Sequence, residues 1–311
     1  MITFSIIEDP KEAKRLWELF SPHERIDDDW EFRNAWTEDY NFPFHFIVGY
    51  DEEKPIGLLP LQYNTLKGLG PKLLQMSIPY LEFFAGVDTD DNDVWVLPGY
   101  EQYKRDFFRQ IKMPAVLGSL KEPYEIDGTK AEYYLDRFEL DLVKNPDIDT
   151  YLQQAFDGKG RRRLKGRMKK LLNTYSVTIK NGDKHDLELL FEFSIKRFGE
   201  QSSFNRPDRQ AIFQKLMDRC QTDLLVFELD GEIKAVTFGL IYNNIYTMLN
   251  LGYDNTIRDI LKSLVYLRIE RAQERGFKLL DVGKNDNGWK SSFHFTKIPQ
   301  YKLMLNLPEQ G

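Results

Sequence analysis

The chain has 311 residues, 41% hydrophobic and 30% charged, a globular composition with length for one large core or two ordinary ones. Its net charge of -6 is lopsided: residues 1–150 hold 16 Lys and Arg against 30 Asp and Glu, and residues 151–311 hold 27 against 19, a swing that points to two domains with different partners. Apolar runs short of the ~20 residues of a bilayer span, an acidic start (MITFSIIEDPKE), a single cysteine (Cys220) and four scattered histidines (His23, His45, His185, His294) argue against a membrane span, a signal peptide, an internal disulfide and a resident metal, and lead to the expectation of a cytoplasmic protein.

In chain order, the patterning predicts a strand at 2–7, helices at 11–20 and 28–40, and a hairpin of extended runs 44–50 and 56–64 around the polar turn Asp51–Lys54. Pro55 and Pro60 weaken the second run. A strand at 69–78 is followed by a long Asp-rich loop at 79–99. A helix at 100–111 and strands at 114–120 and 133–143 close the first half. The second half opens with a helix ending near 156, interrupted by Gly158 and Gly160. Next come the basic run Arg161–Leu172, a strand at 175–181, helices at 184–198 and 208–220, and strands at 223–229, 232–242 and 244–253. A helix at 257–275 stops at Gly276, and a strand at 277–282, a short helix at 288–294 and a strand at 301–306 finish the chain.

Two segments repeat: DEEKPIGLLPLQYN (51–64) and DGEIKAVTFGLIYN (230–243) agree at five of 14 positions, and each forms the turn and second strand of a hairpin that follows two helices. A duplicated α/β fold explains both. We expect domains at 1–145 and 146–311. In the second, helix 257–275 follows a strand directly, so its N-terminus presents free N–H groups and the positive dipole end, with Arg258 and Lys262 beside them. That is either a phosphate site or an ordinary amphipathic helix.

Three stretches resemble the GCN5-related N-acyltransferase (GNAT) fold, and in particular the tandem GNAT group of CelD-like acetyltransferases and FemAB peptidyltransferases: the basic RRRLKGRMKKL, NLGYD (250–254) leading into RAQERGFKLLDVG, and DVGKNDNGWKSSF (281–293). The first half joins more weakly through Trp30, Trp36 and IGLLPL. The resemblance implies an α/β (α+β) chain of two tandem GNAT-like domains, each a mixed, largely antiparallel sheet flanked by helices. It implies acyl transfer from a thioester or ester to an amine on a split sheet. Acetyl-CoA or a longer acyl-CoA would bind the second domain through Leu251, Gly252, Tyr253, Arg258, Lys262 and Ser263. The amine acceptor, a small molecule or peptide, would lie between the domains, the first having lost donor binding. No glycine lies between Tyr253 and Gly276, where the family carries its phosphate-loop glycines. This keeps two alternatives in play: a FemAB-like ligase using aminoacyl-tRNA, and a non-catalytic binding protein.

Acyl transfer to an amine requires a base for the amine proton and a donor for the carbonyl oxyanion. At the expected strand end, Asp281 is the candidate base and Lys290 the candidate oxyanion or phosphate contact; a helix cap is the plain alternative for Asp281, and core packing for Trp289. Tyr246, expected to share a face with Met248 and Asn250, is a candidate general acid or a half-buried strand aromatic. The run 159–170 has eight basic residues and no acid, with Leu164, Met168, Leu171 and Leu172 on one stripe. Arg161, Arg162, Arg163 and Arg167, with Asn250 and Trp289, are thus candidate anion or substrate contacts, or a basic face docking on the acidic half. The loop Asp88–Asp93 lacks the glycine and closing glutamate of a calcium loop and is expected to be solvated.

Overall fold

In the computed structural model, which describes residues 1–64, 79–86, 89–286 and 288–308, the opening apolar run forms β1 (Ile2–Ile7). Asp9 starts α1 (Pro10–Phe20) by accepting from the Glu12 amide at 2.8 Å, with Pro10 in the first turn. Asp29 caps α2 (Trp30–Thr37) in the same way. β2 (Phe46–Asp51) turns through Glu52 at φ +55° into β3 (Lys54–Leu59). Pro60 has no amide to give a ladder and separates β3 from β4 (Leu61–Asn64). The two then take different partners: β4 pairs with β5 (Tyr80–Phe83), whereas β3 lies between β2 and β6 (Trp95–Val96). The short α3 (Lys104–Arg109), β7 (Ala115–Leu120) and the hairpin of β8 (Glu125–Ile126) and β9 (Thr129–Lys130) follow. The strand expected at 69–78 lies outside the described residues. The loop expected over 79–99 contains β5 and β6, because the wholly buried YLEF run makes a strand.

β10 (Glu132–Asp141) carries the chain into the second unit. There α4 (Ile148–Ala155), α5 (Gly158–Thr174), β11 (Val177–Asn181), α6 (Lys184–Phe198), α7 (Pro207–Arg219), β12 (Thr222–Leu229), β13 (Glu232–Tyr242), β14 (Ile245–Tyr253), α8 (Ile260–Glu274), β15 (Leu279–Lys284) and α9 (Trp289–Ser292) succeed one another, and β16 (Thr296–Leu305) ends the chain. Among the described residues, no helix is long and apolar enough to cross a membrane.

The duplication read from the sequence extends well beyond 14 residues. The order β1-α1-α2-β2-β3 recurs as β11-α6-α7-β12-β13, with both strand triplets antiparallel. In the first unit β4–β5, β5–β7 and β7–β16 pair antiparallel, parallel and antiparallel. In the second, β13–β14, β14–β15 and β15–β10 repeat that sequence. The last strand of each unit is supplied by the other half of the chain. The chain divides into two compact units, Met1–Asp136 with Pro299–Gly311, and Arg137–Ile298. Packing explains the exchange: Phe138 and Leu140 of β10 join Leu280 and Val282 in one core, and Leu303 and Leu305 of β16 join Leu117 and Leu81 in another.

The acidic loop is not solvated. Buried Arg33 of α2 donates to the carbonyls of Asp27, Phe84 and Asp91 and to the Asn92 side chain, each near 2.7 Å or shorter. Asp91 pairs with Lys121 (3.2 Å) and Arg25 (3.5 Å), and Asp93 accepts from Tyr124 (2.5 Å) and faces Lys104 (3.6 Å). These carboxylates are buried and partnered, which a burial-blind reading of an Asp-rich string misses. Asp88 lies outside the described residues.

Gly252 sets the spacing of β14 against α6. A Cβ there would stand 2.7 Å from the carbonyl oxygen of Leu190, a backbone atom that cannot move aside. Gly252→Ala is expected to cost about 1–3 kcal/mol, the range for overpacking a close-packed contact. It would be read as a lower urea midpoint at unchanged m-value, and an unshifted midpoint would refute it.

Candidate active site

β14 and β15 run parallel, but their pairing stops early: Ile245, Tyr246 and Thr247 face Leu279, Leu280 and Asp281, and no pair follows. From Met248 onward β14 stays with β13, while β15 stays with β10 as far as Lys284. The two strands part, and the sheet is split at their C-terminal ends. Next to the split, β14 is bulged, since Phe238 faces Asn250 and Gly239 faces Met248, leaving Leu249 as an extra residue. Bulges take backbone groups out of the ladder and re-aim strands beside sites. The bulge also breaks the alternation expected to put Asn250 on the face of Tyr246 and Met248. Half-buried Asn250 turns its Oδ1 to the Leu251 amide at 2.7 Å.

α8 starts three residues later than expected, because Asp259 takes the left-handed conformation at φ +62°, which no helix continues. No side chain caps α8. Arg258 therefore sits on the preceding loop, its side chain 88% exposed and 3.7 Å from Asp259. Ser263 is buried, its hydroxyl on the Asp259 carbonyl at 3.4 Å, so it faces the helix rather than a ligand. Lys262 is half-buried. Burial, then Arg167 and also Arg163, hold its ammonium below the ordinary lysine range, while Asp259 opposes them. Arg167 reaches Asp259 at 3.2 Å. Two arginines of the basic helix α5 thus converge with Lys262 at the first turn of α8, a concentration of positive charge at a helix end that is itself positive.

The other candidates fall into different surroundings. Asp281 is in the middle of β15, not at its end. It is 1% exposed and held by Arg137 of β10 through Nε and Nη2, with the Gly283 amide also donating to it at 2.9 Å. A carboxylate so occupied holds β10 to β15. Lys290 is buried, its ammonium donating to the carbonyls of Gly283 (2.9 Å) and Lys284 (2.7 Å) and lying 5.4 Å from the Phe138 ring. It fastens the β15–α9 turn. Trp289 packs edge-on to Phe295.

Tyr246 lies in the closed part of the β14–β15 pair. Its ring is stacked under Arg268 at 4.4 Å, and its hydroxyl crowds Gly239. Arg268 in turn pairs with Asp223 at 3.1 Å, and burial lowers its guanidinium to about 9. Tyr253 stacks on Arg197 at 4.6 Å, and Leu251 packs into the core beside it. Arg161 and Arg162 line a separate groove between α4 and α5. Sequence reading missed Arg137: no motif marks it, and its role appears only once β10 is known to pair with β15.

Residues 158–291 match the acetyltransferase (GNAT) domain family. No curated protein matches the sequence. Several solved structures are similar in fold. A conserved protein of unknown function from Bacteroides thetaiotaomicron is 13% identical, with 98% of this chain and 100% of that one covered at a TM-score of 0.61. FemX is 12% identical, with 98% of each chain covered at 0.57. A tandem GNAT protein from the clavulanic acid biosynthesis pathway is 11% identical, with 100% of each covered at 0.52. Residues 158–291 of the second unit thus match the acetyltransferase (GNAT) domain, and the fold of the chain is similar to that of a tandem GNAT protein.

Proposed function

We propose that the protein is an N-acyltransferase that takes its acyl group from a CoA thioester bound at the second unit. The observation that carries this is the parting of β14 from β15 after Thr247 and Asp281, beside a cluster of Arg163, Arg167 and Lys262 at the start of α8. The residues suit the donor. The thioester arm can lie along the freed edge of β14, and the pyrophosphate can meet the uncapped amides and three cations at α8. Asp259 is the one acid at that position, and Arg167 and Arg258 offset it.

In the reaction the acceptor's amine nitrogen attacks the thioester carbonyl carbon, the C–S bond breaks, and the proton lost by the amine ends on the departing sulfur, giving an amide and the CoA thiol. Backbone N–H groups freed by the bulge at Leu249 are placed to bind the oxyanion. In this reading Asp281 and Lys290 position the strand ends, and Tyr246 takes no part in proton transfer. The six-residue α3 stands where the first unit would need a donor helix, so that unit serves the acceptor rather than a second donor.

The aminoacyl-tRNA alternative rests on the lack of glycine between Tyr253 and Gly276. A thermal-shift panel separates the two readings. Stabilisation by acetyl-CoA or a long-chain acyl-CoA is the expected result. No shift at millimolar thioester, with salt-sensitive binding of bulk tRNA instead, would replace this reading with the other.

A further inference from the structure

The basic helix α5 has a second charged side that the donor site leaves unused. Gly158, Arg161, Arg162, Lys165, Gly166 and Lys169 fall on one stripe and line a groove of about 690 Å³ against α4. That volume lies within the roughly 300–1,000 Å³ of small-molecule sites. The stripe is about 16 Å long at the α-helical rise, which exceeds the reach of one phosphate. The single acid in the groove, Asp149, is taken by Lys165. Arg161 leans on the carbonyls of Gln153 and Phe156 at 3.4 Å, while Arg162 and Lys169 are exposed and form no ion pair among the described residues.

Gly166 sharpens this reading. Glycine weakens a helix, so an interior glycine normally has a packing reason. Here there is none: a Cβ at Gly166 would meet nothing within 4 Å. A small residue without a packing role, beside unpaired cations, leaves backbone open to an incoming anion.

We propose that the α4–α5 groove is a second anion site, distinct from the one at α8, that takes a soluble molecule bearing a diphosphate. The phosphates lie on Arg161, Arg162 and Lys169, and the body of the ligand passes over Gly166. Arg163 and Arg167 serve the α8 site, so the two sites can be disabled separately.

Calorimetric titration of the full chain with inorganic pyrophosphate tests this. The expected result is binding that persists in Lys262→Gln, which disables the α8 site, and that in this background weakens at least tenfold when Arg162→Gln/Lys169→Gln is added. Three outcomes overturn the proposal: no pyrophosphate binding at millimolar concentration, binding abolished by Lys262→Gln but untouched by the groove variants, or binding of phosphatidylglycerol vesicles with none of pyrophosphate. Failure of the donor reading would instead show as intact groove binding with no response to CoA thioesters.

Discussion

Arg137→Met is expected to destabilise the protein by about 3–5 kcal/mol, the cost of breaking a buried ion pair by removing one partner. Asp281 is almost wholly buried, so the substitution takes away the guanidinium that compensates its charge inside the second unit. Chemical unfolding would show the effect as a lower midpoint. Arg137→Met/Asp281→Leu should regain much of the loss, since an apolar pair of similar volume needs no solvation. A single variant as stable as the parent would contradict the buried pair. Asp281→Asn separates structure from chemistry. A positioning residue lowers the midpoint and leaves the pH profile of turnover unchanged, whereas a base removes a limb of that profile.

The second large effect concerns the donor. Arg167→Gln/Lys262→Gln should weaken CoA thioester binding by two orders of magnitude or more. Each charge-assisted contact to a phosphate is worth about 1.5–3 kcal/mol, and two lost contacts leave Asp259 facing the pyrophosphate unopposed by Arg167. Calorimetry with CoA measures it directly. Because pyrophosphate contacts are made equally in ground and transition states, KM should rise with little change in kcat. An unaltered Kd would place the donor away from α8.

The duplication was visible in the five matches between 51–64 and 230–243, because hairpin turns and alternating strands write themselves into local sequence. In the structure Asp9, Asp29, Asp157 and Asp183 cap helices, each a short polar side chain before a periodic run. The basic helix and the strand–helix junction at Tyr253–Ile260 were found for the same reason. The roles assigned within the site were not. Asp281 and Lys290 stand in a suggestive string, but what a carboxylate or ammonium does depends on its neighbours, and Arg137 is 144 residues away from Asp281.

The sequence by itself determined most helices and strands of the second half, that the chain is built from two related halves, and where its positive charge is concentrated. Those properties depend on periodicity, capping and composition within a window of some twenty residues. Only the tertiary structure decided that β10 and β16 are exchanged between the units, that β14 parts from β15, and that Arg163 and Arg167 face Lys262 while Arg161 and Arg162 line another groove. Strand pairing and charge environment come from contacts between distant segments, where burial changes the chemistry of a side chain without changing its letter.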